Sequence, residues 1–589
     1  MKLKLRSASG IRSKYIKQDI LSTRGVVNID EWIAADFTGD DVLDYTLMGQ
    51  EKEIQDAVLA ILNCIYGGKK MALCVDCDVD GYTSAAILAN YLYDHFQFTN
   101  WQFLFHKGKG HGLADLIDDI DTESVHLVIL PDAGSNDTIY HKILADKGIP
   151  VICLDHHIVE CEAPNAIVIN NQINDHPSKS MTGAGVTWLF CEAIEYAIRD
   201  TPWDDGYNTY TAKWLDLVAL GNLSDMADYR DPFVRTVVDL GLNKIENRFF
   251  RAMCDKNKYS MDKMGGLTYM ACAFYVTPYM NAVCRAGTME EKRMMFDALL
   301  DFKNEECVPS VRRNIRGKMV PIWDEAVYMV GKAKERQTDI QNAGLEYVEN
   351  IILSEKLNNN SVIVACCHPD EIDPEVCGLI ANKLQSKYQK PTMVLREVDG
   401  FYKGSARNYS MSEIENMKGM CDTSGLFELC AGHEGAFGCV LDKNKLDDFI
   451  EYSNKVYSAV STEPVYWIDY MLTQYDLGGA GKTLIYTIAG MKEYWGQQIP
   501  EAKVGIRVPV RNPELIGKDE AHRAIKMNVN GVDIMKFKSS SDEFAKWTEE
   551  VDGDMTLVAY CTCAVNEYGG NCTPQLIIED YYLETDWIF

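Results

Sequence analysis

The chain has 589 residues, 47% of them hydrophobic and 25% charged, with a formal net charge of −29. That length points to about three or four domains, in a composition typical of soluble globular protein. So acidic a balance excludes a protein coated in basic residues, although a local basic groove suffices for phosphate contacts.

No run of about 18 apolar residues occurs, so no transmembrane helix and no membrane partner are expected. Met1 to Arg6 is not followed by the apolar stretch of a secretory signal. The nineteen cysteines are scattered through apparent core segments, which reads as reduced thiols in a cytoplasmic protein. Residues 1–50 carry no readable chemistry. Lys2 to Lys17 holds six Lys or Arg and Arg312 to Arg336 is also basic, but each alone reads as a solvated helix face.

The first informative stretch is Met71 to Gly81. An apolar run reaches Val75, three carboxylates follow at Asp76, Asp78 and Asp80, and the residues after Gly81 form a helical pattern. Acids at a strand-to-helix turn lie where ligands bind in open α/β sheets. Three like charges this close repel unless cations or protons compensate them, and hard oxygen donors suit Mg²⁺ or Mn²⁺. A solvated acidic turn is the alternative. An EF-hand loop is not, because its twelfth position, counted from Asp76, is the apolar Ile87. Cys74 and Cys77 form a CxxC, but on a strand they face opposite ways and no second pair accompanies them, which disfavours zinc there.

Further along, Trp101 to Phe105 leads into the basic, glycine-rich loop His106 to Leu113, which is suited to approaching phosphates. Val125 to Leu130 is a near-continuous apolar run, as in a strand buried on both faces, and ends in Pro131-Asp132-Ala133-Gly134-Ser135. Pro150 to Leu154 repeats the pattern and ends in Asp155-His156-His157. Trp214 to Gly221 leads to Asp225. Four apolar segments ending in metal-ligand residues suggest convergence at one edge of a parallel sheet. Residues 246–345 turn helical, and a long connecting helix is expected between Met289 and Glu355. A second α/β unit follows over 356–455. Residues 456–589 alternate polar and apolar residues with turns such as Asn530-Gly531, consistent with a barrel or sandwich.

The order Asp-x-Asp-x-Asp-Gly, Pro-Asp-x-Gly-Ser, Asp-His-His, Gly-x-x-x-Asp resembles the DHH phosphoesterase superfamily. Pro177 to Val186, Arg235 with Gly241-Leu242, and Thr277 to Gly287 (similar to Pro-x-x-Asn-Ala-x-x-Arg-x-Gly) narrow the resemblance to RecJ-like exonucleases. Lys403-Gly404-Ser405-Ala406-Arg407 and Cys430 to Gly438 are similar to the Gly-Ser-x-Arg and Gly-Gly-His elements of the DHHA1 domain, with Ala431 replacing the first glycine. Trp495 to Glu501 loosely resembles the lead-in to a C-terminal OB-fold.

The resemblance implies a cofactor of two divalent metal ions, Mn²⁺ or Mg²⁺. Asp78 and Asp132 would hold one, and Asp80, Asp132, His156 and Asp225 the other, with Asp132 bridging. Asp76 is an additional candidate ligand, Asp155 would orient His156, and His157 would face the scissile phosphate. Arg285, Ser405 and Arg407 resemble the grip on a 5′-terminal phosphate, for which guanidinium forks are suited, and His433 would contact nucleotide near the cleavage point.

The expected fold is α/β: a parallel-sheet DHH domain (51–245) after an N-terminal extension (1–50), joined by a helical connector (246–355) to a smaller α/β DHHA1 domain (356–455), then an OB-like β-barrel (456–589). The implied activity is 5′-to-3′ hydrolysis of single-stranded DNA by a monomer, with a single-strand-binding protein or helicase as further partners. The OB-like part would add a track for single strands, although Asp542, Glu543, Glu549, Glu550, Asp552 and Asp554 weigh against tight non-specific binding. The rival readings are a phosphoesterase acting on short oligoribonucleotides or dinucleotides, and a non-catalytic replication scaffold. The tail Glu584 to Phe589 reads as a final strand and fraying end, or as a partner-docking tip.

Overall fold

The computed structural model describes residues 1–7, 14–35, 43–199, 211–409, 411–458, 463–519, 522–549, 555–568 and 570–585. Tail residues 586–589, the acidic positions 550, 552 and 554, and residues 36–42 lie outside these. The chain forms two compact units, one of Arg24–Glu335 with Lys492–Glu501, the other of Met1–Thr23, Arg336–Met491 and Ala502–Phe589. Among the described residues no helix is long and apolar enough to cross a membrane.

Strand β1 (Lys2–Leu5) belongs to the second unit. The first is built on β2 (Lys70–Val75), β3 (Trp101–Phe105), β4 (Val125–Pro131), β5 (Val151–Asp155) and β6 (Ile167–Asn170). They are ordered β3-β2-β4-β5-β6, and every neighbouring pair is parallel. The apolar runs are continuous because both faces are covered. Ala72, Cys74, Val128, Leu130, Val151 and Cys153 pack with Leu113, Leu116 and Leu144. The alternate residues Leu73, Ile129, Ile152 and Leu154 are also fully buried, and helices α1 (Val79–Phe96) and α2 (Gly183–Arg199) pack against β2, β4 and β5.

From β2 the chain goes to one side for β3, then crosses to the other for β4. The carboxyl ends of β2 and β4 therefore flank a crevice at the point where the winding reverses. Helix α3 (Leu215–Ser224) is buried from Leu215 through Leu223, as a helix apolar all round must be.

The expected connecting helix is shorter than the run of helix formers. Met289–Leu299 is a separate helix, begun by a Thr288/Glu291 capping box. The antiparallel pair β7 (Cys307–Pro309) and β8 (Met319–Pro321) follows, and only then the 33-residue α4 (Ile322–Ser354). Pro309 and Pro321 close their strands because neither can donate a ladder hydrogen bond.

The second unit holds a sheet of β9 (Ile363–Cys367), β10 (Thr392–Val398), β11 (Phe401–Arg407), β12 (Phe427–His433) and β13 (Ala436–Asp442), in the order β12-β13-β11-β10-β9. Only β9 and β10 run parallel. Helix α5 (Cys377–Tyr388) packs on β10 and β11. Strand β1 pairs in parallel with β14 (Val465–Ile468).

The last sheet comprises β15 (Tyr470–Thr473), β16 (Lys503–Pro509), β17 (Glu514–Ile516), β18 (Ala524–Val529), β19 (Val532–Phe537), β20 (Met555–Tyr568) and β21 (Asn571–Thr585). Its order is β15-β16-β20-β21-β19-β18-β17. Consecutive strands β16 and β17 pair at opposite sides, with β20 and with β18, and β19 runs parallel to β21. Asn530 and Gly531, at φ 52° and 82°, make the β18–β19 turn with the two left-handed residues that a type I′ hairpin requires. Segment 495–501, expected to lead into this region, packs in the first unit instead. The Tyr229 N–H donates to Gln497 O at 3.1 Å, and Arg24 Nε donates to Pro500 O at 3.3 Å.

Because the β4 core sits directly behind the crevice, Ile129→Ala should cost about 2–5 kcal/mol of stability. The check is a lower urea midpoint by tryptophan fluorescence.

Candidate active site

Each strand of the parallel sheet delivers a polar residue to the same edge: His106 after β3, Asp76 after β2, Asp132 after β4, Asp155 at the end of β5 and Asn170 at the end of β6. Asp78 is the N-cap of α1 and its carboxylate accepts from Gly81 N–H at 3.1 Å. Asp80 follows in the first helical turn. Its carboxylate accepts from Thr182 Oγ1 and Gly183 N–H, both at 2.8 Å, and from Ala184 N–H at 3.1 Å. The N-terminus of α2 therefore grips Asp80. This approach needs glycine, since a Cβ at Gly183 would meet Asp132 Cα at 2.6 Å.

Asp132 is held at φ 67°, left-handed for a non-glycine residue. Its Oδ1 is buried, makes no hydrogen bond and lies 3.1 Å from His156 Nε2. That nitrogen is also 3.9 Å from Asp80 Oδ2 and 3.8 Å from Asp225 Oδ2. One carboxylate oxygen from each of Asp76, Asp78 and Asp132 falls within 4.8 Å of the others. All five residues expected to ligate metal are thus gathered at one point, with Asp76 beside them.

The charges are under-compensated. Burial, then repulsion from Asp80, Asp78 and Asp76, pushes the Asp132 carboxyl well above the usual range. Burial with Asp76 and Asp80 raises Asp78, and burial with Asp80 and Asp78 lifts Asp225 to about 8. A crevice that penalises its own anions this way, with a buried oxygen at its centre that makes no hydrogen bond, fits divalent cations.

Asp155 corrects the expectation placed on it. Its Oδ1 accepts from the His157 ring Nδ1 at 2.8 Å and from the backbone N–H groups of His156 and His157, and its Oδ2 accepts from Ser135 N–H at 2.9 Å. It orients His157 rather than the His156 ring, because the turn after β5 brings the second histidine back over the carboxylate. Burial opposes ionisation of Asp155, but the His157 bond and charge together with the Ser135 hydrogen bonds outweigh it and hold the carboxyl below the usual range. The same bond raises His157 to about 9. Asn170 braces the turn, donating to Ser135 Oγ and His157 O, both at 2.9 Å.

Sequence reasoning missed the partners of Asp76. The loop expected to approach phosphates turns inward here: His111 Nδ1 lies 2.5 Å from Asp76 Oδ2, His106 Nε2 3.3 Å from Oδ1, and Gly112 N–H donates to Oδ1 at 3.2 Å. Burial pushes Asp76 up, but the two imidazoles outweigh it and hold the carboxyl at about 2. Two histidines among glycines were the available signal. The buried Lys292 anchors the loop by donating to His106 O at 2.7 Å.

The remaining expected residues fall in both units. Arg285 is exposed in the last turn of helix Thr277–Ala286. Its neighbour Cys284 is buried, with a thiol pKa raised by burial and then by Asp78. Ser405 and Arg407 lie two residues apart on β11, in the second unit, and His433 is exposed at the end of β12. A Cβ at Gly378, in the first turn of α5, would come 2.6 Å from Arg407 Nη2 and 3.4 Å from Ser405 Oγ. The missing side chain brings a helix N-terminus against a guanidinium and a hydroxyl, a combination suited to an anion.

The model of the DHH family, N-terminal domain, matches residues 70–222, and that of the DHHA1 domain matches residues 359–459. YorK of Bacillus subtilis (strain 168), an SPbeta prophage-derived protein named as a single-strand DNA-specific exonuclease, is 30% identical over 581 residues, 96% of this chain and 95% of its own. The single-stranded-DNA-specific exonuclease RecJ of Escherichia coli (strain K12) is 25% identical over 562 residues, 90% of each chain. The crystal structure of Thermus thermophilus RecJ in complex with Mn²⁺ superposes with a TM-score of 0.67 at 18% identity, covering 99% of this chain and 79% of that one. This last likeness is one of fold.

In metal-free protein, Asp155→Asn should return the His157 pKa from about 9 towards the ordinary value near 6.5. His157 favours folding while charged, so its contribution is complete at low pH and is lost as pH rises through the folded pKa. Ring-proton titration by NMR checks both values.

Proposed function

Because this chain belongs to the RecJ-like family of DHH/DHHA1 exonucleases, we propose that it hydrolyses single-stranded DNA from the 5′ end with two divalent ions, Mn²⁺ or Mg²⁺. The observation that carries the reading is the gathering of Asp78, Asp80, Asp132, His156 and Asp225 at the switch-point edge, around an oxygen of Asp132 that makes no hydrogen bond. Asp78 and Asp132 would hold one ion, and Asp80, Asp132, His156 and Asp225 the other, with Asp132 common to both. When bound, such ions neutralise the phosphate and ease the deprotonation of water.

The chain's own residues supply position. Thr182 and the α2 N-terminus fix Asp80. Asp155 keeps His157 charged and oriented, so its imidazolium donates to a phosphate oxygen as negative charge develops there. Ser405, Arg407 and Arg285 bind the 5′-terminal phosphate, and His433 contacts nucleotide near the scissile bond. Support for the phosphate grip comes from the α5 N-terminus against Arg407 and Ser405.

We assign 51–245 as the catalytic domain, 246–355 as connector, 356–455 as the substrate-gripping domain and 456–589 as an OB-like single-strand track, with 1–50 as an extension. The strand order supports the OB-like reading. Residues 503–516 bend so that one segment pairs with both β20 and β18, and helix Ser541–Trp547 falls between β19 and β20. The working form is a cytoplasmic monomer that meets single strands alongside a single-strand-binding protein or helicase.

Digestion of 5′- and 3′-labelled single strands with Mn²⁺, Mg²⁺ or chelator tests this. Early release of the 5′ label, dependent on metal, is expected. Asp132→Ala should abolish it, and unchanged turnover in that variant would restore the scaffold reading. Asp155→Asn should slow the reaction about 10–100-fold. Loss of the charge-assisted bonds in Arg407→Ala, about 1.5–3 kcal/mol, should raise KM roughly 10–100-fold for a 5′-phosphorylated strand and leave a 5′-hydroxyl strand almost unaffected.

A further inference from the structure

One donor group in the crevice has no part in the chemistry above. Cys77 is buried between Asp76 and Asp78 in the turn after β2. Its Sγ lies 3.5 Å from His111 Nε2 and 3.8 Å from His111 Nδ1, and His111 Nδ1 lies 2.5 Å from Asp76 Oδ2. One donor atom from each of Asp76, Cys77 and His111 falls within 4.8 Å of the other two. Sulfur, imidazole nitrogen and carboxylate oxygen thus converge from two segments that the β2–β3 pairing brings together.

Three features make this more than a chance cluster. Measured from His111 Nδ1, the nitrogen that also faces Asp76, the sulfur lies 3.8 Å away, close to the roughly 3.5 Å edge of a tetrahedral zinc site with Zn–S near 2.3 Å and Zn–N near 2.0–2.1 Å. Asp76 is braced from behind: its Oδ1 accepts from Gly112 N–H and faces the buried His106 Nε2, which makes no hydrogen bond, while His106 Nδ1 is fixed 2.7 Å from Asp115. Carboxylate–imidazole bracing of this kind orients metal ligands. The donor chemistry also differs from that around Asp132. A thiolate selects thiophilic cations, whereas Mg²⁺ and Mn²⁺ prefer oxygen-rich sets.

We propose that Asp76, Cys77 and His111 form a binding site for a thiophilic divalent cation, best fitted by Zn²⁺, with water in the fourth position. Binding releases the Cys77 thiol proton and the proton shared by His111 and Asp76 to solvent. Nothing is oxidised or reduced. The site ties loop 106–113 to the β2–α1 turn, and it stands independently of the nuclease reading.

Cobalt titrated into the chelator-stripped full chain is the test, since cobalt bound by a thiolate absorbs in the near ultraviolet and cobalt held by oxygen and nitrogen alone does not. A saturable thiolate–cobalt band is expected, displaced by Zn²⁺. Cys77→Ser, with folding checked by circular dichroism, should abolish it, and His111→Gln should weaken cobalt binding at least tenfold. Asp132→Ala should retain the band, so a failed nuclease assay leaves this result standing. No band in the unaltered chain, a band that survives Cys77→Ser, or its loss in Asp132→Ala would overturn the proposal.

Discussion

Repulsion between carboxylates governs the crevice at the carboxyl edge of the parallel sheet. Asp76, Asp80 and Asp132 are buried, with the half-buried Asp78 and the exposed Asp225 beside them, and at an effective dielectric below that of water each unscreened buried pair costs kilocalories per mole. The chain relieves this strain unevenly. Asp76 has two imidazoles, and Asp80 has a hydroxyl and a helix N-terminus. Asp132 has a histidine nearby and an oxygen with no hydrogen bond. The residual imbalance is located where exogenous positive charge can be held, so the fold creates a demand for cations and does not merely tolerate them.

The parallel sheet makes this possible. Five strands pointing the same way aim five carboxyl ends at one edge, and the reversal of winding between β3 and β4 opens a gap there. Helices α1 and α2 then present their amino ends to that gap. Covering both sheet faces with apolar residues leaves the edge as the place where polar chemistry concentrates.

Much of this was legible in the sequence. Runs such as Val125–Leu130 are apolar on both faces and end in ligand-type residues, so β2, β4 and β5 and the convergence of their ends follow from local pattern. What escaped depends on tertiary pairing. That His106 and His111 turn onto Asp76 requires β3 to lie beside β2, and a Gly-rich loop reads the same facing inward or outward. Asp155 bonds to His157 rather than orienting His156 because of a backbone turn that no spacing rule encodes. The break of the connector into a helix, a hairpin and α4 was marked by Pro309 and Pro321, yet helix formers on either side masked it. The contribution of residues 503–516 to two sides of one sheet is a long-range property, invisible to periodicity.

The pairing of β1 with β14 has a consequence for biosynthesis. The Met1 ammonium lies 2.8 Å from Glu463, 462 residues away in sequence. At roughly 5–20 residues per second, the β14 edge emerges from a ribosome about half a minute to a minute and a half after β1. Through that interval β1 has no partner strand, while Arg24–Glu335, the larger part of the first unit, is already made and its remaining segment Lys492–Glu501 is still to come. Strand β1 is therefore a late clasp: it closes on β14 after most of the first unit has been made, and before Ala502–Phe589 completes its own unit.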